Sequence, residues 1–578
     1  MIGLVAPNPE APGCPRDLLI SLCEGVTALD SDGAGGIKRE TFRYVDELLY
    51  WSGRRLTLDE CLRDDLTPHR LTPTWITHDK FVYQADDGSL TLLDTSNNSV
   101  SLLVSNHTLR QLNVQGYQCS ADLRYVLFKH NVKPVYRNTF TAYYTVYDVT
   151  NDHHTPLRLH TSRGMQQTRL QHAAWLGNTS GILMISENDI YVRIAPSAAE
   201  DARITDTGLP GVIYNGVPDW LYQEEVLPHL YIVRDPTADD PRHLEPLCVT
   251  CDLGEVLWSS RFYYTNCTHF GASVSPPMEN ESSGYYVLYC EGPGLPLAAV
   301  HLITTHKMIR VLYDTRIQRG DKLSQLALPT RRSFEVSLPQ GWKAQVQLLL
   351  PPSWREELRD AAFPVLVEVN GRPGSEAVTD RFKIDWGTYM SSHNDVVYVR
   401  LDVRGARGQG KRDLFRRIGG VEVQDQLTVL KHLLKTLKYL DVTRVGVWGW
   451  GYGGYVTAMV LGSQENVFKC GVAVNPIADW LYYILGAPAE NYKGYVEADL
   501  TQRARLVPSH SLYLLHGLAD LTAPYTHGVA FAKALTEAGI IFRYQSYADE
   551  DHALSGVLEH AYRSIEDFLA ECLALDAS

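Results

Sequence analysis

Residues 445–461 constrain the fold more than any other part of this chain. Val445-Gly446-Val447-Trp448 is an apolar run of strand character. It leads, with no polar turn residue, into Gly449-Trp450-Gly451-Tyr452-Gly453-Gly454, after which Tyr455–Leu461 reads as helix. Strand, sharp turn and helix in that order form the nucleophile elbow, G-x-S-x-G, in which glycines let strand and helix close around a strained central residue. Here the centre is Gly451. Glycine carries no side-chain oxygen, so no acyl intermediate can form on it. Gly449, Gly451 and Gly454 also spell G-x-G-x-x-G. They come late in the domain, and Asp441 precedes them, whereas a dinucleotide site needs the motif at a first βα turn with an acid ~20 residues on.

The surrounding pattern alternates. Phe334–Leu338, Ala344–Leu350 and Val396–Leu401 read as strands, and Phe363–Val369 as a strand buried on both faces. Helices are expected over Val421–Tyr439, Gly528–Ala538 and Leu558–Leu573, with strands at Tyr513–Leu515 and Ile541–Tyr547. His516-Gly517-Leu518-Ala519-Asp520 follows one late strand and Asp549-Glu550-Asp551-His552 follows the next. An aspartate and then a histidine after the elbow is the α/β-hydrolase order, with Asp520 orienting the His552 imidazole.

The half before this domain has another texture. Lys80–Tyr83, Leu90–Leu93, Tyr125–Phe128, Ala142–Tyr147, Ile182–Ser186, Ile190–Val192 and Tyr286–Tyr289 are short β-like runs parted by Gly, Asn and Asp. Such spacing predicts an all-β propeller or sandwich. The expected division is 1–53 as an N-terminal segment and linker, 54–330 as the β domain and 331–578 as the hydrolase domain.

The net charge of −14 and the lack of a basic block exclude a phosphate-tracking nucleic-acid binder. No apolar run approaches the ~18 residues of a membrane helix. Met1–Pro12 has prolines where an export signal would be apolar. Ten cysteines include one CxxC, Cys248 and Cys251, followed by Cys267 and Cys290, with Cys470 and Cys572 far downstream. A zinc site needs four converging ligands, so disulfides are the favoured reading and no metal or cofactor is expected. Five Asn-x-Ser/Thr sequons stand at Asn97, Asn106, Asn178, Asn266 and Asn280, all in the first half. Disulfides and glycans imply a secretory compartment, which conflicts with the missing signal and suggests an incomplete N-terminus.

These segments resemble the dipeptidyl peptidase IV family of prolyl-oligopeptidase-like serine peptidases, and most closely its inactive branch. Gly449–Met459 resembles the catalytic serine segment with glycine for serine. His516–Asp520 and Tyr547–His552 resemble the aspartate and histidine segments. Asp219-Trp220-Leu221-Tyr222-Gln223-Glu224-Glu225 resembles the motif that grips a substrate's amino terminus. Gly292-Pro293-Gly294-Leu295-Pro296 and Val403-Arg404-Gly405 also fit. The resemblance implies an incomplete β-propeller followed by an α/β-hydrolase domain, with Gly451, Asp520 and His552 at vestigial triad positions. It implies Glu224 and Glu225 as an amine-binding pair and Arg137 at the substrate carbonyl. Tyr452, Ile477, Trp480 and Tyr483 would line a proline pocket. Disulfides Cys470–Cys572, Cys248–Cys251 and Cys267–Cys290 follow from the same resemblance.

The departures are as informative. The oxyanion-stabilising tyrosine is replaced by Asn370, the asparagine expected after the aspartate is Thr522, and a further pocket tyrosine falls near Ala487. The family propeller has eight blades at ~40–50 residues each, and 54–330 holds enough for roughly six, so middle blades are missing. The resemblance implies a non-enzymatic cell-surface glycoprotein, dimeric, acting as a scaffold or regulatory subunit such as a potassium-channel modulator. The alternatives are a serine-type X-Pro aminodipeptidase, which needs a serine at 451, and a peptide-binding decoy that does not cleave.

Overall fold

The computed structural model describes residues 53–63, 66, 73–85, 87–134, 140–161, 164–166, 168–176, 179–198, 200–209, 215–216, 231–232, 247–248, 267–276, 284–356, 361–369, 374–407, 418–480 and 492–575. Four antiparallel four-stranded meanders occupy the first part of the chain, over residues 74–104, 114–156, 172–203 and 267–314. Successive side chains of each strand point to opposite faces, and in Lys80–Gln84 and Leu297–Leu302 consecutive apolar residues are buried, so the sheets stack face to face. Phe81, Tyr83 and Leu93 of the first sheet pack on Val287, Val300 and Tyr313 of the last. Val82, Leu90 and Val104 pack on Val126, Phe128 and Tyr147 of the second. Leu127, Ala142 and Tyr144 then pack on Trp175, Ile182 and Met184 of the third. The order in space is therefore last, first, second, third. That is how consecutive propeller blades stack, with the chain's first blade beside its last. The expected incomplete propeller is the arrangement found.

The second domain is an eight-stranded sheet. Its strands are β1 (Thr330–Ser337), β2 (Lys343–Leu350), β3 (Phe363–Val369), β4 (Val397–Asp402), β5 (Leu440–Trp450), β6 (Cys470–Val474), β7 (Leu512–Gly517) and β8 (Arg543–Tyr547). The order is β1-β2-β4-β3-β5-β6-β7-β8, with β1/β2 and β2/β4 antiparallel and the rest parallel. This is the expected α/β-hydrolase sheet. The longer helices over it among the described residues are α1 (Trp386–His393), α2 (Val421–Thr436), α3 (Tyr452–Leu461), α4 (Tyr525–Glu537) and α5 (Leu558–Leu573). Leu427 and Leu430 of α2, Tyr455 and Val456 of α3 and Phe531 of α4 bury one face. Tyr389 and Met390 of α1 and Ile565, Phe568 and Leu569 of α5 bury the other.

One boundary differs from expectation. Residues 54–63 and Leu66, counted with the β domain, pack on the hydrolase domain, and among the described residues the first propeller strand begins at Thr74. Leu56, Leu58 and Leu66 join the cluster under α1 and α5, and the Leu56 N–H donates to Ser392 Oγ at 3.1 Å. A capping box between Thr57 and Glu60 starts the short helix Leu58–Leu62. The leucines Leu56, Leu58, Leu62 and Leu66 carry no mark in the sequence of which domain they pack on.

The two domains meet tightly where the propeller's last sheet touches the hydrolase. The Phe382 N–H donates to the Glu291 carbonyl at 2.7 Å, and Arg381 Nε lies 3.3 Å from Glu291 Oε2. A Cβ on the adjacent Gly292 would lie 2.0 Å from the Asp380 carbonyl oxygen and 2.7 Å from Phe382 N. Both are backbone atoms that cannot rotate aside, which accounts for glycine in this Gly-Pro-Gly segment. Gly292→Ala is expected to cost about 3 kcal/mol by overpacking. Calorimetry should show the loss, and an unchanged melting temperature would mean the contact is loose in solution.

Candidate functional site

The site is built on the carboxyl ends of β5, β6 and β7. At the elbow, a Cβ on Gly449 would lie 2.3 Å from the Gly453 carbonyl carbon, so strand and helix can approach this closely only through glycine. Gly451 has φ 58° and ψ −113°. Its N–H donates to the Val474 carbonyl at 2.8 Å, and its own carbonyl accepts from Tyr455 N at 3.0 Å as α3 begins. The strained elbow backbone is retained although no nucleophile stands on it.

Asp520 and His552 come together opposite the elbow. His552 Nδ1 donates to Asp520 Oδ2 at 2.6 Å. The other carboxylate oxygen accepts from Thr522 N and Ala523 N, each at 2.8 Å, so the carboxylate is fixed by backbone. Asp520 is buried, and His552 has 30% of its side chain exposed. Hydrogen-bonding through Nδ1–H leaves Nε2 as the lone-pair atom. That edge faces Gly451: a Cβ there would be 2.9 Å from Nε2 and 3.2 Å from Cε1. The imidazole edge therefore stands against the space a side chain at 451 would enter.

Two further histidines sit behind the pair. His516 Nε2 donates to the Ala523 carbonyl at 2.8 Å, and burial pushes this imidazole below its ordinary range. His527 accepts at Nδ1 from Ala478 N and Asp479 N, and burial lowers its pKa to about 4.

Of the expected pocket residues, Tyr452, Ile477 and Trp480 are together and buried. The Tyr452 and Trp480 rings lie 5.7 Å apart. The Tyr452 hydroxyl donates to Glu422 Oε1 at 2.7 Å, and Glu422 also accepts from Gly419 N. Burial holds the Glu422 carboxyl above the usual range. Cys470 and Cys572 form the expected disulfide. Cys290 is disulfide-bonded, and Cys267 opens the neighbouring strand. Asn97 is exposed in a hairpin turn, its Oδ1 accepting from Ser99 N, whereas Asn106 donates from its amide to the Asp87 carbonyl. Arg137, Glu224, Glu225, Asn370, Tyr483, Cys251, Asn178, Asn266 and Asn280 lie outside the described residues, as does the Cys248 side chain.

Three residues of the site were missed by the sequence reading. Glu422 anchors Tyr452. Trp450 Nε1 and Asn475 Nδ2 both donate to the His552 carbonyl, at 2.7 and 2.8 Å. The Trp450 position inside the elbow was the only signal available for any of them.

Fold and site together define an α/β-hydrolase domain joined to propeller sheets, with an acid–histidine pair facing a glycine elbow. Known families agree. Residues 382–576 match the prolyl oligopeptidase family, and residues 120–234 match the dipeptidyl peptidase IV N-terminal region. These two stretches are thus similar to the dipeptidyl peptidase IV branch of that family. The chain is 32% identical to venom dipeptidyl peptidase 4 of Vespula vulgaris over 57% of this chain and 42% of the relative, so that match spans well under half the relative's length. It is 23% identical to inactive dipeptidyl peptidase 10 of Mus musculus, over 92% of this chain and 91% of the relative. That alignment runs over 743 residues, longer than the 578-residue chain, so it must open gaps here. The crystal structure of Porphyromonas gingivalis dipeptidyl peptidase 4 superposes with a TM-score of 0.67 at 17% identity, covering 90% of this chain and 100% of that one, which shows the shared fold. Among the described residues no helix is long and apolar enough to cross a membrane.

Proposed function

We propose that this chain is a non-hydrolytic dipeptidyl-peptidase-like glycoprotein of the cell surface. In this reading it works as a dimeric scaffold or regulatory subunit for another surface protein, of which a membrane channel is one class. Gly451 carries the reading. The acid–histidine pair survives at 2.6 Å, yet the elbow it faces bears no oxygen to attack a carbonyl. The match over nearly the whole length of an inactive relative supports the same view.

The test is hydrolytic. The chain, Gly451→Ser and Gly451→Ser/His552→Ala are secreted behind an added signal peptide, and release of a chromophore from a Gly-Pro substrate is followed. The unmodified chain is expected at the level of the double variant, since losing the nucleophile costs on the order of 10⁶ in turnover. His552-dependent release by the unmodified chain would overturn the reading. The partner arm is tested by cross-linking on cells, where the proposal expects a dimer band and a second surface protein.

A further inference from the structure

The imidazole of His552 does more than remain. A Cβ at Gly451 would lie 2.9 Å from Nε2, inside the closest approach real Cβ atoms make. The Asp520 bond, at 2.6 Å, fixes one edge of the ring.

The remaining restraint is on the backbone of His552. Its carbonyl accepts from Trp450 Nε1, the last residue of β5, and from Asn475 Nδ2, one residue beyond β6. Both carbonyl lone pairs are thus engaged by side chains from the sheet. Asn475 is completely buried and sits at φ 47°. Its Oδ1 accepts from Gly517 N at 2.9 Å, and its own N–H donates to the Leu515 carbonyl at 2.8 Å. One amide therefore spans the ends of β6 and β7 and the histidine loop.

We infer that Asn475 and Trp450 are positioning residues that seal the elbow, holding the His552 imidazole against the space a side chain at 451 would enter. The inference rests on the non-hydrolytic reading and deepens it. The site is closed as well as disarmed, and a serine placed at 451 must drive back a ring whose backbone is clamped from two strands.

Diethyl pyrocarbonate tests this without any activity. The reagent acylates a reachable imidazole nitrogen, and mass spectrometry reads each histidine separately. His107, exposed on a short propeller helix, is the internal reference. Although 30% of the His552 side chain is exposed, its Nε2 is expected to react at least about tenfold more slowly than His107, an added barrier of one decade in rate. Asn475→Asp keeps an acceptor for Gly517 N and removes the donor to the His552 carbonyl. Trp450→Phe removes the indole donor alone. Each is expected to speed His552 modification roughly fivefold, the weight of one neutral hydrogen bond, with His107 unchanged. Equal rates for His552 and His107 in the unmodified chain would overturn the inference whether or not either variant folds. Unchanged His552 rates in the folded variants would overturn it too. Gly-Pro hydrolysis by the unmodified chain would instead overturn the functional reading, so the two failures are distinct.

Discussion

Cys470→Ser/Cys572→Ser is expected to lower stability by about 3–5 kcal/mol, the largest effect of any change considered for this chain. The disulfide closes a loop of sequence separation 102. In the chain-entropy account, a cross-link of that span removes close to 4.7 kcal/mol of freedom from the unfolded chain. It ties the first residue of β6 to the end of α5. That helix covers one face of the sheet with Ala561, Ile565, Phe568, Leu569 and Leu573. Losing the tie also frees the last turn of α5 to fray, which exposes Leu573 and the neighbouring Gly446 surface it rests on. Urea denaturation of the double variant beside the parent measures the effect. A loss under about 1 kcal/mol would mean that the unfolded chain is already compact between these points.

Acid is the second large lever. His527 is 3% exposed, and its Nδ1 accepts two backbone N–H groups. Burial, reinforced by the neighbouring His516, disfavours the charged ring, so the folded pKa is about 4 against an ordinary 6.5. Between those values the unfolded chain takes up a proton that the folded chain refuses. Stability is therefore full above pH ~6.5 and falls as pH drops toward 4, by about 2.5 kcal/mol at pH 4.5. His516 is buried beside it and depressed in the same direction, so it adds to the slope. Glu422, raised by burial, contributes the opposite slope, and the comparison is therefore made against His527→Gln. Denaturation midpoints at pH 7, 5.5 and 4.5 should fall less steeply in that variant. Parallel curves would show that His527 is protonated in the fold.

Much of this was readable beforehand. The Phe363–Val369 run, the glycine elbow and the order Gly451, Asp520, His552 follow from local periodicity and turn chemistry, and the structure places them as the pattern implies. The Cys470–Cys572 pairing came from resemblance, because 102 residues of separation leave no local trace. Asn475, Glu422 and the segment 54–63 escaped for one physical reason. Each acts through polar or apolar partners tens to hundreds of residues away, such as Asn475 with His552 and Leu56 with Ser392. No period or motif announces a contact of that kind, and an asparagine after a strand reads simply as a turn.

The place where residues 54 and 326 meet has a wider meaning. Arg54 N donates to the Gln325 carbonyl, and Ala327 N donates back to the Arg54 carbonyl, each at 2.8 Å. The segment that precedes the propeller sheets and the segment that follows them thus meet at one bridge on the hydrolase domain, with the described blades carried in between as a cassette. Whatever the cassette contains, its two ends are spliced into the same bridge and the same apolar floor of Leu56, Leu326 and Leu328. The number of blades is then decoupled from the hydrolase fold, as domain insertion at neighbouring chain ends allows. A lineage could shorten the propeller in steps of one blade while the elbow, the acid–histidine pair and α5 stayed in register.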